Sequence, residues 1–378
     1  MIKQLFTALS QLAAASKELS KEVSVPLRPQ EPKGAIPYDE EEVKYSNLTA
    51  DVTLAATLTL PRSGKPSSAV LLIAGSGAID RNETVFGHKP FFVLADHLTK
   101  QGFAVLRVDK RGVGQSTGNY DVSTTEDFAA DVLAGVEYLK TRKEVDTERI
   151  GLIGHSEGGL IAPMIAVKSN DVAFIVLMAG AGVTGEATLY EQEALISRAM
   201  GVTEKQISHQ LNFQKQVLSV IMNESDLEKA EKRLREIVVK QLANLPKEEQ
   251  QTSADVMEAQ FKRLNSKWFR YFLTYDPITS LKHLKIPVLV INGELDSQVS
   301  SKQNLPVIAK ILEEAGNQNY RIIEFPKLNH FFQICESGSI LEYGKIEETI
   351  APVVLDILSD WILETTTHLR KISAPYEK

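Results

Sequence analysis

Apolar residues recur along this chain with two periods, and the places where the period changes outline its architecture. In residues 52–60 apolar and polar residues alternate, which is typical of a strand with one buried face. Further along, short apolar runs such as 70–74 and 103–108 are separated by helical stretches such as 91–101 and 124–142. Strands that alternate with helices predict a mostly parallel sheet with helices on both faces, here preceded by an antiparallel edge.

The alternation stops between residues 183 and 283, after the sixth predicted sheet strand. This stretch holds no convincing strand pattern, and helices are predicted over 226–245 and 253–274. Long insertions beside the catalytic edge of a sheet usually form lids or binding walls, so we predict a helical cap. A helical decoration that never contacts substrate is the alternative. The predicted organisation is a core of residues 38–182 and 284–378 with a cap of residues 183–283.

Residues 1–37 are predicted to form an N-terminal helix followed by a Pro-rich arm. The uncharged stretch 4–16 resembles a weak signal peptide with a poor apolar core, and a short amphipathic helix is the competing interpretation. The prolines of residues 25–37 predict an extended arm along the surface. We therefore favour a cytoplasmic location and leave export open. No run of residues is long enough to form a transmembrane helix.

Composition excludes several classes of function. The chain has 378 residues, of which 43% are hydrophobic and 24% charged, as in an ordinary globular protein with a large core. A net charge of −7 and the lack of a basic stripe argue against nucleic-acid binding. The single cysteine, Cys335, excludes an intrachain disulfide and is expected to be a buried free thiol. With no C-x-x-C, H-E-x-x-H or P-loop, we expect no metal and no cofactor. No motif indicates an oligomeric state.

The most specific chemical signal is the sequence Gly-His-Ser-Glu-Gly at residues 154–158. A predicted strand, 150–153, runs into it, and a predicted helix, 159–166, follows. In that context G-x-S-x-G forms the nucleophile elbow, a tight strand-to-helix turn that raises a serine oxygen at the end of a sheet. The pattern alone occurs often by chance, so the flanking strand and helix are what single out Ser156 as the nucleophile.

An acid and a histidine follow the serine, each just after its own strand. Asp296 comes after the apolar run 287–291, and His330 comes after the strand predicted at 320–325. Both lie beyond the carboxyl ends of strands, where the catalytic groups of open α/β sheets are found. His330 would act as base and then acid, and Asp296 would orient its ring. Glu294 is the rival acid, although it lies nearer the strand and would reach the histidine less easily.

An oxyanion formed at the serine needs backbone N–H donors. One is expected from Glu157, directly after the nucleophile, and the other from the loop that follows the strand 70–74. In that loop Ser76 is the preferred donor, with Gly77 as the fallback.

Substrate contacts are predicted from residues near these groups. Trp268 and Phe272 lie on the last predicted cap helix, Phe331 follows the histidine, and Gly77 lies in the donor loop. Ligand pockets are mainly apolar and aromatic, so we propose these four as candidate pocket residues. Most aromatic residues of that cap helix are nevertheless expected to be core between cap and sheet.

Two arginines have two possible roles. Arg81, which follows Asp80 in the donor loop, could bind a substrate carboxylate or could hold the loop in shape, and we favour the second role. Arg111 has the same two interpretations.

The chain resembles the α/β-hydrolases, and more narrowly bacterial carboxylesterases of the EstD type, over residues 38–365. The segments that carry the resemblance are 74–83, 109–118, 154–158, 292–299 and 328–333. The second of these, Asp-x-Arg-Gly-x-Gly-x-Ser, is widespread in the superfamily and supports only the fold. The Gly-Ser-Gly loop followed by Asp-Arg is more particular to this branch.

The resemblance implies a helical cap after the sixth strand and a serine carboxylesterase without a cofactor. Its substrate would be a small-molecule ester with a small or medium acyl group, hydrolysed through an acyl-enzyme on Ser156. Acyl-thioesterases and acyltransferases share the same elbow and remain alternatives, and a peptidase is a less favoured one. A catalytically silent binding protein is a further alternative, but it predicts a missing triad member, and none is missing here.

Overall fold

A computed structural model describes residues 28–243, 261 and 263–373. Residues 4–16, which resemble a weak signal peptide or a short amphipathic helix, lie outside the described residues. The Pro-rich arm is described from Arg28 onward. The buried guanidinium of Arg28 donates hydrogen bonds to the carbonyls of Gly87, Gly344 and Ile346. These bonds hold the arm against the two loops that contain those residues.

The core is one eight-stranded sheet. Its strands are β1 Tyr38–Asn47, β2 Val52–Pro61, β3 Ser67–Ile73, β4 Ala104–Val108, β5 Val145–His155, β6 Phe174–Met178, β7 Val288–Gly293 and β8 Tyr320–Phe325. They lie in the order β1-β2-β4-β3-β5-β6-β7-β8. The pairs β1–β2 and β2–β4 are antiparallel, and all the others are parallel. The predicted parallel sheet with an antiparallel edge is confirmed.

Helices cover both faces of the sheet. They are α1 Pro90–Lys100, α2 Thr125–Lys140, α3 Gly158–Ala166, α4 Gly185–Ala199, α5 Glu204–Asn223, α6 Leu227–Leu242, α7 Lys267–Thr274, α8 Ile278–Leu281, α9 Ser301–Glu314 and α10 Pro352–Ser373. In the described part of the chain, no helix is long and apolar enough to span a membrane.

Strand β3 shows how the two faces are filled. All seven of its residues are buried, as expected when helices cover both sides of a parallel strand. Because side chains alternate along a strand, Leu71 joins the apolar core that contains Val136 of α2. Val70 and Leu72 join the opposite core, which contains Leu94 of α1.

Among the residues that the structure describes between β6 and β7, helices α4 to α7 follow β6 and no strand occurs, which confirms the helical insertion after the sixth strand. The helix predicted over 253–274 is not continuous, because the chain turns at residues 265–266; residues 253–260 and 262 lie outside the described residues. The side chain of Ser266 accepts a hydrogen bond from the N–H of Phe269 and begins α7 anew. The cap boundaries at residues 183 and 283 stay a prediction.

Candidate active site

The turn at Ser156 has the geometry of a strained elbow. The serine follows the end of β5 with a φ of 54°, in the left-handed region, which costs a residue with a side chain about 1–3 kcal/mol. A Cβ atom on Gly154 would lie 2.0 Å from the carbonyl oxygen of Gly158, and one on Gly158 would lie 2.1 Å from that of Ile73. Only glycine fits at either position, so the spacing of the motif follows from the packing of the turn.

The histidine and the acid form a buried pair. His330 Nδ1 lies 2.8 Å from Oδ2 of Asp296, whose side chain is completely buried. The other carboxylate oxygen accepts hydrogen bonds from the N–H groups of Gln298 and Val299, each at 2.8 Å. An acceptor-only carboxylate requires the Nδ1 proton on His330. Its Nε2 is then free to accept a proton.

The rival acid lies elsewhere. Glu294 is exposed, and its Oε2 accepts a hydrogen bond from the N–H of Lys327 at 3.1 Å. The acid that contacts the ring of His330 is Asp296.

The elbow and the histidine meet through His155, the residue before the serine. The rings of His155 and His330 are 4.8 Å apart between centroids, which places Ser156 and His330 at one site. Among the described residues, Ser156 Oγ makes no hydrogen bond to His330. Such catalytic contacts often tighten only when substrate binds.

Behind the site lies a buried contact between His155 and Glu83 that the sequence reasoning missed. His155 Nε2 lies 3.0 Å from the carbonyl oxygen of His330, and its Nδ1 lies 2.9 Å from Oε1 of Glu83. A carbonyl can only accept, so Nε2 carries a proton. Burial opposes a charge on this ring, but the Glu83 carboxylate outweighs it and raises the pKa of His155. The pair therefore holds the backbone of the proposed base in place.

The loop after β3 is anchored beside the nucleophile. A Cβ atom on Gly75 would lie 3.2 Å from the Cβ of Ser156, so the two segments are in contact. The N–H of Gly75 donates to Oε1 of Glu83 at 2.8 Å. In the part of the chain that the structure describes, the N–H groups of Ser76 and Glu157 donate to no protein acceptor. Both are thus available to a ligand.

Gly77, the fallback donor, lies near the hydroxyl of Tyr120. Burial and the charge of Glu157 raise the pKa of the Tyr120 hydroxyl, and the nearby backbone of Gly77 acts in the opposite direction. Gly77 has a φ of 117°, a conformation that suits only glycine.

The side chain of Glu157 makes a second set of contacts, which the sequence did not suggest. It is 1% exposed. Its Oε1 accepts from Thr125 Oγ1 and from Trp268 Nε1, both at 2.7 Å, and its Oε2 lies 3.3 Å from Lys110 Nζ. Trp268 belongs to α7, so this carboxylate joins the cap to the elbow.

The other candidate pocket residues lie around the same edge. Phe331 is half-buried and meets the ring of His330 edge-on at 5.4 Å between centroids. Phe272 is half-buried, stacks on Trp268 and packs against the cluster that contains Leu160 of α3. Contact with substrate stays a prediction for all of them, and Trp268 is engaged with the elbow itself.

Both arginines are paired with protein carboxylates. Arg81 donates through its N–H and its Nη2 to the two carboxylate oxygens of Asp109, each at 2.8 Å. Arg111 Nε lies 2.6 Å from Oδ2 of Asp131. These contacts agree with a structural role in shaping the loops.

Comparisons with known proteins identify relatives of this arrangement. The model of the family described as serine aminopeptidase, S33, matches residues 89–334. The esterase EstD of Thermotoga maritima is 26% identical over 327 residues, which cover 86% of this chain and 69% of that protein.

Solved structures share the architecture. An esterase of Pyrococcus furiosus has a TM-score of 0.54 at 16% identity, over 92% of this chain and 99% of that one. The α/β-hydrolase GrgF of a Penicillium species has a TM-score of 0.53 at 16% identity, over 87% and 99%. At these identities the likeness establishes the fold alone, and it confirms the fold expected from the sequence.

Proposed function

The chain belongs to the S33 serine aminopeptidase family of α/β-hydrolases, and from this premise we propose that it is a serine carboxylesterase acting on small to medium acyl esters. The observation that carries the proposal is the buried pair of His330 Nδ1 and Asp296 Oδ2 at 2.8 Å, next to a serine in a strained elbow. Similarity to the esterase EstD supports an ester rather than another acyl substrate.

In the proposed acylation, Oγ of Ser156 attacks the ester carbonyl carbon while Nε2 of His330 takes its proton. Asp296 stabilises the imidazolium that forms. The carbonyl oxygen becomes an oxyanion, which accepts hydrogen bonds from the N–H groups of Ser76 and Glu157. Gly77 is the less favoured donor, as its place in the loop already suggested.

Collapse of the tetrahedral intermediate breaks the bond to the alcohol, which leaves with the proton from His330. Water then attacks the acyl-enzyme while His330 again accepts a proton, and the second collapse returns that proton to Ser156. The acid is released, and atoms and charges balance without a cofactor.

Amide hydrolysis is the second candidate, because the matching family is described as aminopeptidases. The two candidates share the nucleophile and differ in the leaving group, so matched p-nitrophenyl esters and p-nitroanilides separate them.

The deciding experiment is hydrolysis of p-nitrophenyl esters from acetate to palmitate by the wild type, by Ser156→Ala and by Ser169→Ala. Ser169 lies in the loop after α3 and is the control for loss of a serine hydroxyl. We expect Ser156→Ala to lose a factor on the order of 10⁶ in kcat and the control to match the wild type.

The acyl length with the highest kcat/KM would give the size of the pocket. Activity that survives in Ser156→Ala would overturn the serine mechanism. A wild type that cleaves anilides or thioesters but no oxygen ester would replace the proposed substrate class. A silent binding protein would resist covalent labelling by a fluorophosphonate.

A further inference from the structure

One buried ammonium group contacts both segments that supply the proposed oxyanion donors. The side chain of Lys110, in the loop after β4, is 8% exposed. Its Nζ donates to the carbonyl oxygen of Gly75 at 2.5 Å and to Oε2 of Glu157 at 3.3 Å. It also lies 4.7 Å from the centre of the Phe128 ring.

The carbonyl of Gly75 and the N–H of Ser76 belong to the same peptide unit. That unit is planar and trans, so its C=O and N–H point in opposite directions. A cation that fixes the direction of the Gly75 carbonyl therefore fixes the direction of the Ser76 N–H as well. The cation also polarises the peptide, which makes that N–H a stronger donor in a buried site.

The preceding peptide of this loop is fixed independently. The N–H of Gly75 is held by Glu83, and Glu83 is paired with His155 beneath the elbow. Gly75 therefore donates its N–H to the carboxylate of Glu83 and accepts from the ammonium of Lys110 at its carbonyl. Its other peptide, which carries the Ser76 N–H, is left with little freedom to rotate.

The second donor is tied to the same ammonium through its own side chain. The N–H of Glu157 belongs to the elbow, while its carboxylate receives Lys110, Thr125 and Trp268. The ammonium therefore bridges the two donor segments and sets their separation.

Neutralising a buried carboxylate does not by itself account for this geometry. The ammonium lies closer to the carbonyl oxygen of Gly75 than to the carboxylate of Glu157, at 2.5 Å against 3.3 Å. If Lys110 served only to pair with Glu157, we would expect its shortest contact to be with that carboxylate and not with a backbone carbonyl in another loop.

We infer that Lys110 is a positioning residue of the oxyanion hole, which aligns the N–H groups of Ser76 and Glu157 without touching substrate. This inference rests on the proposed serine mechanism. It predicts that loss of the ammonium weakens binding of the transition state more than binding of the ester.

The test uses Lys110→Met, which keeps the length of the side chain and removes the charge. Because that change leaves the Glu157 carboxylate buried without its cation, Lys110→Met/Glu157→Gln is made as well and compared with Glu157→Gln. Arg111→Met is the matched control. Arg111 is the next residue along the chain and forms an equally buried ion pair with Asp131. Neither side chain of that pair contacts the donor loop in the described structure.

Four quantities are measured: kcat and KM for the preferred ester, the inhibition constant of a trifluoromethyl ketone, and the pH profile. The ketone forms a tetrahedral adduct whose oxygen occupies the oxyanion position. Removing a whole donor costs about 10²–10³ in kcat, and we expect a misaligned one to cost about 10- to 100-fold. The inhibition constant should rise by the same factor, while KM changes by less than about 3-fold and the pH profile keeps its shape.

The inference predicts partial recovery of kcat in Lys110→Arg, which keeps a cation near the carbonyl. Folded Arg111→Met should lose stability but keep its kcat. If the Lys110 variants match Arg111→Met in kcat and in ketone affinity, Lys110 only stabilises the fold and the inference is overturned. A wild type that neither hydrolyses esters nor is labelled at Ser156 would overturn the proposed function, and the role of Lys110 with it.

Discussion

Replacing Trp268 by phenylalanine removes the hydrogen bond that, among the described residues, links α7 to the side chain of Glu157 in the elbow. Trp268 Nε1 lies 2.7 Å from Oε1 of Glu157, and hydrogen bonds to charged groups contribute about 1.5–3 kcal/mol. The carboxylate keeps Thr125 and Lys110 as donors. We therefore expect the lost bond to lower the free energy of unfolding by about 2 kcal/mol, beyond the loss of packing.

The chain supplies a matched control, because it contains two tryptophans. Trp361 is 8% exposed, against 9% for Trp268. It packs edge-on against Phe174, and among the described residues it makes no hydrogen bond. The substitutions Trp268→Phe and Trp361→Phe remove the same indole atoms at equal burial. The difference between them therefore reports the hydrogen bond.

The assay is denaturant unfolding of both variants, followed by circular dichroism and by the fluorescence of the remaining tryptophan. Trp268→Phe should be less stable than Trp361→Phe by about 2 kcal/mol, which is roughly a 30-fold difference in the unfolding equilibrium constant. Equal destabilisation would refute the reasoning, because the bond would then contribute nothing net. Transitions that differ between the two probes would show that cap and core unfold separately.

Two further predictions concern the acids around the site. Asp296→Asn should lower kcat by about 10⁴-fold, because an amide cannot hold the required tautomer of His330, whereas Glu294→Gln should stay near the wild type in steady-state kinetics; the reverse result would move the acid to Glu294. The raised pKa of His155 means that its pairing with Glu83 stabilises the fold fully below the ordinary value of 6.5 and less as the pH rises through the folded-state pKa. The difference in melting temperature between the wild type and Glu83→Gln should thus be largest in mild acid, where carboxylates are still ionised, and should narrow in alkali. A difference that does not depend on pH would contradict the pairing.

The parts of this protein that could be read from its sequence are those determined by local sterics and by strand order. The glycines at 154 and 158 are required because a Cβ atom at either would collide with backbone, that of Gly158 in the turn or that of Ile73 on the neighbouring strand β3. The elbow is therefore visible as a short motif. Asp296 and His330 follow recognisable strands, and parallel strands bring their carboxyl ends to one edge. The choice of Asp296 over Glu294 needed only their positions relative to the end of the strand.

The prediction of one continuous helix over 253–274 missed the turn at residues 265–266. The apolar positions of this stretch keep a helical period across Asn265 and Ser266, yet both residues are good helix terminators. The serine hydroxyl accepts from the N–H of Phe269, in the first turn of a new helix. The spacing of apolar residues alone cannot distinguish one long helix from two consecutive helices whose apolar residues lie on the same side.

The tertiary structure alone decided which charges meet beneath the site. Glu83 and His155 are 72 residues apart, Lys110 and Glu157 are 47 apart, and Trp268 lies 111 residues from Glu157. Each of these residues is unremarkable in its own segment, and no periodic pattern encodes a contact between loops. The sequence by itself predicted the proposed nucleophile, its proposed base and the sheet that carries them. The contacts of Glu157 exist only because the loop after β4, the start of α2 and the cap helix α7 converge on its buried carboxylate, which must be paired once it leaves water.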